Sequence, residues 1–206
     1  MPFRVDTLPV GVLQVNCYLA WDSATGSGVI IDPGDDPEAV AAAVSRAGFR
    51  PTAILLTHGH VDHIRGVGDL CRLDDLPVYL GSADHGLYAS PTNALLPWLP
   101  AATGLPAPLD VLPADLGLAI TALATPGHTP GGVCFHLPAE RVLFSGDTLF
   151  CGGVGRTDLP GGSNPDLVRS LRTVLYALPD ETQVYPGHGQ PTDIGTEKRS
   201  NPFVRP

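Results

Sequence analysis

Three histidines and an aspartate fall within six positions of this chain, at His58, His60, Asp62 and His63, directly after the apolar run Ala53-Ile54-Leu55-Leu56. A short apolar run bounded by polar residues reads as a buried strand. That strand delivers three imidazoles and a carboxylate to its carboxyl end, where packing gives no reason for them. The stretch Thr57-His58-Gly59-His60-Val61-Asp62-His63 is therefore read as part of a metal site, and any fold for this chain must bring further ligands to it.

The same event recurs three more times. A strand pattern over residues 116–124 ends at Thr125-Pro126-Gly127-His128, one over Arg141–Phe144 ends at Ser145-Gly146-Asp147-Thr148, and one over Thr182–Tyr185 ends at Pro186-Gly187-His188-Gly189. Strands that end on one edge of a sheet bring such residues to one place. The set comprises five histidines (His58, His60, His63, His128 and His188) and two aspartates (Asp62 and Asp147). Imidazole and carboxylate ligate zinc, iron and manganese, and a catalytic zinc keeps a coordination position open for water. Seven ligands supply two divalent ions if one carboxylate is shared. Asp147 is the candidate bridge, because a carboxylate has two oxygens and a neutral imidazole cannot bridge. Two such ions can share a hydroxide that forms near neutral pH. Zinc leads as the expected metal, with iron or manganese as alternatives. His85 and His136 follow no strand-end pattern and read as structural or surface residues.

With 206 residues, 43% of them hydrophobic, the chain can bury a sizeable core. A net charge of −9 argues against a nucleic-acid backbone as partner. No run is long and apolar enough to span a membrane. Met1–Asp6 has no apolar leader core, so the expectation is a cytoplasmic protein that does not bind membranes. Cys17, Cys71, Cys134 and Cys151 form no Cys-x-x-Cys pair and read as buried reduced thiols.

In chain order, strands are expected over 3–8, 12–21 and 28–31. A helix follows to about Arg46, capped by Asp35 or Asp36 and stopped by Gly48. After strand 53–56, helices are expected near 64–73 and 82–88, with a strand at Val78–Leu80 between them. Residues 90–108 are rich in proline and read as a long loop, either packed on the surface or forming one wall of a substrate groove. Strands at Val133–Leu137 and 141–144 precede a glycine-rich loop over Gly152–Gly162. A helix over Pro165–Leu178, capped by Asn164, leads to the last strand. The expected organisation is a single domain over residues 1–206 with a short C-terminal tail at about 192–206. Alternating strands and helices imply an α/β class, with helices covering a pair of sheets.

The motifs Thr57–His63, Pro126–Thr129, Gly146–Thr148 and Pro186–Gly189 resemble the metallo-β-lactamase superfamily over essentially the whole chain. The resemblance implies an αββα sandwich of two mixed sheets flanked by helices. It implies one metal on His58, His60 and His128, a second on Asp62, His63 and His188, and Asp147 between them. Antibiotic-degrading members of the commonest class carry Cys where this chain has Asp147, which points away from β-lactam cleavage. Ser145–Phe150 with Gly152-Gly153-Val154-Gly155-Arg156 is similar to the glyoxalase II group. That similarity implies hydrolysis of a hydroxyacylglutathione-type thioester, a small-molecule substrate attacked by a metal-bridging hydroxide, with Asp62 and Asp147 in catalytic roles. Arg156 falls where that group binds the carboxylate of the thiol peptide. The tail Glu197–Phe203 is similar to tails of short glyoxalase II-like proteins and makes Lys198 and Arg199 candidate substrate residues. Two other readings stay open: Arg156 braces its loop against Asp158, and Lys198 and Arg199 are a solvated tail. Gly155-Arg156-Thr157-Asp158 also resembles the persulfide dioxygenases, which implies a mononuclear iron enzyme as the alternative.

Overall fold

A computed structural model describes residues 2–206. The chain forms two compact units, one through Leu118 and one from Ala119 onward.

The first unit is built on five strands: β1 (Phe3–Val10), β2 (Val15–Asp22), β3 (Ser27–Ile31), β4 (Arg50–Leu56) and β5 (Val78–Leu80), side by side in that order. The first three pair antiparallel, and β3, β4 and β5 run parallel. Parallel strands need crossovers. Helix α1 (Pro37–Ala47) supplies the first; α2 (Val61–Ile64) and α3 (Val67–Asp74) supply the second, and the helix expected near 82–88 is a 3-10 turn over Ser82–Asp84 followed by the short α4 (His85–Tyr88). Two residues, Arg65 and Gly66, interrupt the helix expected over 64–73. Gly48 stops α1 in the left-handed conformation at φ 73°, as its position requires. Asp36 does not cap α1 with its side chain; its carboxylate accepts from the Gly11 amide of the β1–β2 turn instead.

The core of this unit collects Leu19, Ile30, Ile54, Leu56, Ile64 and Leu80, all essentially inaccessible. Ile54→Ala is expected to destabilise the protein by about 2–5 kcal/mol, read as a fall in the urea midpoint at unchanged slope.

Among the described residues of 90–108, one 3-10 turn over Pro91–Asn93 and a Leu95–Leu99 bridge are the ordered features. The buried Asn93 side chain staples this segment. It donates to the carbonyls of Tyr88 and Ala102 and accepts from the Ala102 amide. A cavity of about 380 Å³ opens beside it, lined by His85, Tyr88 and residues 102–108.

The second unit has its own five-stranded mixed sheet: β6 (Thr121–Ala124), β7 (Val133–Leu137), β8 (Val142–Gly146), β11 (Gln183–Pro186) and β12 (Thr192–Asp193). A small hairpin, β9 (Leu149–Phe150) with β10 (Gly153–Val154), follows β8. Residues 116–120 are not strand. Leu116 is buried, its carbonyl accepts from Thr52 Oγ1, and Gly117 turns at φ 71°.

Helix α5 (Asn164–Ser170) is capped by Ser163, whose hydroxyl accepts from the Asp166 amide, and not by Asn164. Its continuation over Leu171–Leu175 widens, with the Tyr176 amide bonding to the Leu171 carbonyl five residues back. The C-terminal segment is not a loose tail: α6 (Ile194–Ser200) buries Ile194 and Glu197, and Asn201 and Val204 beyond it are buried as well.

All four cysteines are free thiols. Cys17 and Cys134 are buried as expected, whereas Cys71 is half-buried and Cys151 is exposed on the β9–β10 turn. Among the described residues no helix is long and apolar enough to cross a membrane.

Candidate metal centre

In each unit, strand direction gathers the donors at one sheet edge. β3 and β4 are parallel, so Asp32 after the first and Thr57–His63 after the second leave the same side. In the other sheet β8 and β11 are parallel, while β6 and β8 each run antiparallel to β7. The residues following β6, β8 and β11 therefore leave one edge together, and they are His128, Asp147 and His188. Loops beyond the carboxyl ends of strands are the usual ligand sites of α/β sheets.

In the first unit His58, His60, Asp62 and His63 are all buried. The ring centroids of His58 and His60 lie 4.9 Å apart, those of His58 and His63 4.1 Å apart. Proton accounting fixes which nitrogens are available to a cation. The buried Asp32 carboxylate accepts from the Thr57 amide at 2.8 Å, from Thr57 Oγ1 at 2.7 Å and from His63 Nδ1 at 2.9 Å. His63 therefore carries its proton on Nδ1.

Thr57 has one hydroxyl proton, and Asp32 takes it. Thr57 Oγ1, 3.0 Å from His58 Nδ1, must then accept from that nitrogen. Both rings are held as Nδ1–H tautomers with Nε2 as the basic atom. A partner on the far ring nitrogen is the usual support of a metal-binding histidine. His63 Nε2 lies 3.7 Å from Asp62 Oδ2. Asp84, fully buried, accepts from the amide of Gly59 at 3.0 Å and pins the turn between His58 and His60.

The second unit repeats the pattern. His128 Nδ1 lies 2.8 Å from the Arg156 carbonyl oxygen, which can only accept. His128 is therefore also an Nδ1–H tautomer. Its Nε2 lies 3.7 Å from Asp147 Oδ2, and His188 Nε2 lies 3.7 Å from the same oxygen. Gly155 lets the 151–156 loop close over these residues. A Cβ there would sit 1.8 Å from the Asp147 carbonyl oxygen and 3.2 Å from His128 Cβ. Phe150 packs edge-on against the His188 ring at 6.3 Å.

These donors fit a divalent ion. Separations of 3.7 Å are too long for hydrogen bonds. They suit two atoms flanking one cation, with metal–ligand bonds of about 2.0–2.2 Å to each. The donor set is nitrogen and carboxylate oxygen without sulfur, which zinc, iron and manganese all accept.

The three basic candidates for substrate contact are already engaged. Arg156 Nε and Nη2 bond the two carboxylate oxygens of Asp158, each at 2.7 Å. The guanidinium holds the exposed Asp158 carboxyl down at about 2. This is the bracing arrangement. Lys198 donates to Asp180 Oδ1 at 2.6 Å and to the Leu178 carbonyl. Arg199 donates to Thr196 Oγ1, and its carbonyl accepts from Arg205. Both stand on helix α6, Lys198 half-buried and Arg199 exposed. His85 bonds the Leu80 carbonyl, and His136 is half-buried, with its basicity lowered by burial. Neither joins the donor groups.

Sequence reasoning missed Asp32, Thr57 and Asp84. The signal for the first was its place at the end of a strand that pairs with the histidine-bearing one.

A model of the metallo-beta-lactamase superfamily matches residues 10–188. The hydroxyacylglutathione hydrolase GloC of Haemophilus influenzae is 36% identical over 98% of both chains. Among solved structures, the BLEG-1 B3 metallo-beta-lactamase superposes with a TM-score of 0.90 at 36% identity, over 97% of this chain and 99% of that one. TTHA1623 in a di-iron-bound form gives 0.84 at 43% identity, over 96% and 99%. ETHE1 from Myxococcus xanthus gives 0.77 at 34% identity, over 98% and 84%. The two mixed five-stranded sheets with their helices are the fold these structures share.

Proposed function

This chain belongs to the metallo-β-lactamase superfamily as a metal-dependent hydrolase, and from that premise we propose that it cleaves a thioester of the hydroxyacylglutathione type. The observation that carries the reading is the set of three histidines held as Nδ1–H tautomers, with Asp62 and Asp147 each 3.7 Å from an Nε2. In this reading His58, His60 and His128 would hold one ion and Asp62, His63 and His188 a second, with Asp147 available to both. Bound divalent ions supply Lewis acidity toward the carbonyl oxygen and make water nucleophilic near neutral pH.

The chain's own residues do the rest. Asp32 and the Arg156 carbonyl keep the imidazoles in register. Asp62 accepts a proton from the attacking water, the water oxygen bonds to the thioester carbonyl carbon, and the C–S bond breaks with that proton passing to the departing thiolate. Arg156 exchanges Asp158 for a carboxylate of the thiol portion. The cavity beside Asn93 takes an apolar part of the substrate. GloC, named for this reaction, supports the thioester reading.

Two further readings rest on specific neighbours. The likeness to ETHE1 supports a mononuclear iron enzyme that oxidises a persulfide. The likeness to the B3 enzyme brings β-lactam cleavage back into consideration, although Asp147 argued against it.

One experiment separates the three. Metal content is measured on protein purified without chelators, alongside turnover of a hydroxyacylglutathione, a persulfide and a cephalosporin. The expected result is about two ions per chain, as the donor count implies, and thioester cleavage that does not depend on oxygen. About one iron per chain with oxygen uptake on the persulfide would establish the dioxygenase reading instead.

A further inference from the structure

Helix α6 carries a carboxylate where its packing face calls for an apolar residue. Ile194 and Glu197 within the helix, and Asn201 and Val204 just beyond its end, are all buried, Glu197 at 1% exposure and Asn201 at 0%. A buried carboxylate is costly unless its oxygens are satisfied. Those of Glu197 accept from Thr192 Oγ1 at 2.7 Å, Asn201 Nδ2 at 2.8 Å, and the Gly152 amide at 3.2 and 3.1 Å. Asn201 Nδ2 also donates to the Gly153 carbonyl at 3.1 Å. Its Oδ1 accepts from the amides of Phe203 and Val204, which fixes the orientation of the amide group.

The contacts fall on Gly152 in the turn of the β9–β10 hairpin and on Gly153, the first residue of β10. Three residues beyond Gly153 stands Arg156, whose carbonyl receives the Nδ1 proton of His128. The loop between them has little freedom. Gly153 and Val154 pair with Phe150 and Leu149, and Gly155 lies against the Asp147 carbonyl. Movement of the turn is therefore passed along a short, paired segment to the carbonyl that orients a metal-binding imidazole.

We propose that Glu197 and Asn201 are positioning residues for His128, acting through the 151–156 loop. The proposal rests on the reading of His128 as a metal ligand, but the orientation of its ring is observable without any metal. Helix α6 then completes the support of the metal centre from the far end of the chain, in place of a side chain bonded directly to the ring.

The test follows the His128 Nδ1–H resonance in nitrogen-15-labelled, metal-free protein, and zinc affinity by chelator competition. Glu197→Ala is expected to broaden that resonance or speed its exchange, and to weaken zinc binding by about 10–100-fold, with the far-ultraviolet spectrum unchanged. Glu197→Gln keeps the shape but turns a donor toward Gly152 or Asn201. It is expected to move both readouts in the same direction by less, and it decides the matter if the alanine variant does not fold. Leu175→Ala, which opens the core cluster of the same unit, lowers stability without removing a hydrogen bond to the loop and is expected to leave both readouts alone.

An unchanged His128 resonance and zinc affinity in the folded glutamate variants overturns the proposal. So does an equal change in Leu175→Ala. If the wild-type protein binds no metal, the functional reading falls, while the resonance still decides the positioning role.

Discussion

Asp147→Ala is expected to lower turnover by about 100-fold or more and to reduce the metal retained per chain. One oxygen of this carboxylate stands 3.7 Å from Nε2 of both His128 and His188. Its removal withdraws negative charge and a ligand atom from two imidazoles at once. The backbone at this position is held independently, because Gly155 packs on the Asp147 carbonyl and Thr148 bonds back to Ser145. The variant should therefore fold, and the loss belongs to the site. Asp147→Asn keeps the outline but replaces one oxygen with an NH₂ that cannot ligate. It should fail in the same direction. Metal analysis and steady-state rates on refolded, remetallated protein provide the check, and wild-type activity in Asp147→Ala sinks the shared-carboxylate reading.

Asp32→Ala should produce the largest combined effect on stability and metal binding. It strands the Thr57 amide, the Thr57 hydroxyl and His63 Nδ1–H, three donors buried with their acceptor. Each orphaned donor costs about 1–3 kcal/mol, so a loss on the order of 3 kcal/mol or more is expected in denaturant unfolding of metal-free protein. Asp32→Asn is the sharper probe. Its carbonyl oxygen can still serve the Thr57 amide, but its NH₂ then faces the Thr57 hydroxyl and His63 Nδ1. His63 can accept from that NH₂ only by moving its own proton to Nε2, the atom a metal needs. The asparagine variant should be closer to wild type in stability than the alanine variant, yet lose about 10–100-fold in metal affinity. Metal binding at wild-type strength in Asp32→Asn would contradict the tautomer assignment.

Which features were legible in the sequence follows from how local their causes are. The histidine and aspartate donors announced themselves because each stands directly after an apolar run and beside a glycine. Gly48 was readable as a helix stop for the same reason. Asp32 was not readable as a support for His63, because its role depends on β3 lying parallel beside β4, a pairing between residues far apart in sequence. In isolation Asp32-Pro33-Gly34 is only a turn. Helix α6 escaped notice because its buried positions are Ile194, Gly195 and Glu197, so no apolar stripe marks it. Residues 116–120 misled in the opposite way. Leu116 is buried like a strand residue, but Gly117 turns close against Ser27 and the ladder starts only at Thr121.

The parallel pairing of β3 with β4 has a consequence for how such a chain can vary. Ile31 stands opposite Leu55, and this alignment sets Asp32 against Thr57 and His63. Side chains alternate faces along a strand, so a one-residue slip would send Asp32 to the opposite side of the sheet. Insertions or deletions inside Ser27–Ile31 or Ala53–Leu56 would thus disconnect the histidines from their anchor even where both strands still form. Length changes in the α1 crossover would leave that alignment intact. The spacing within these two strands is accordingly a functional constraint as strict as the identity of the histidines, and one that comparison of residue types alone would overlook.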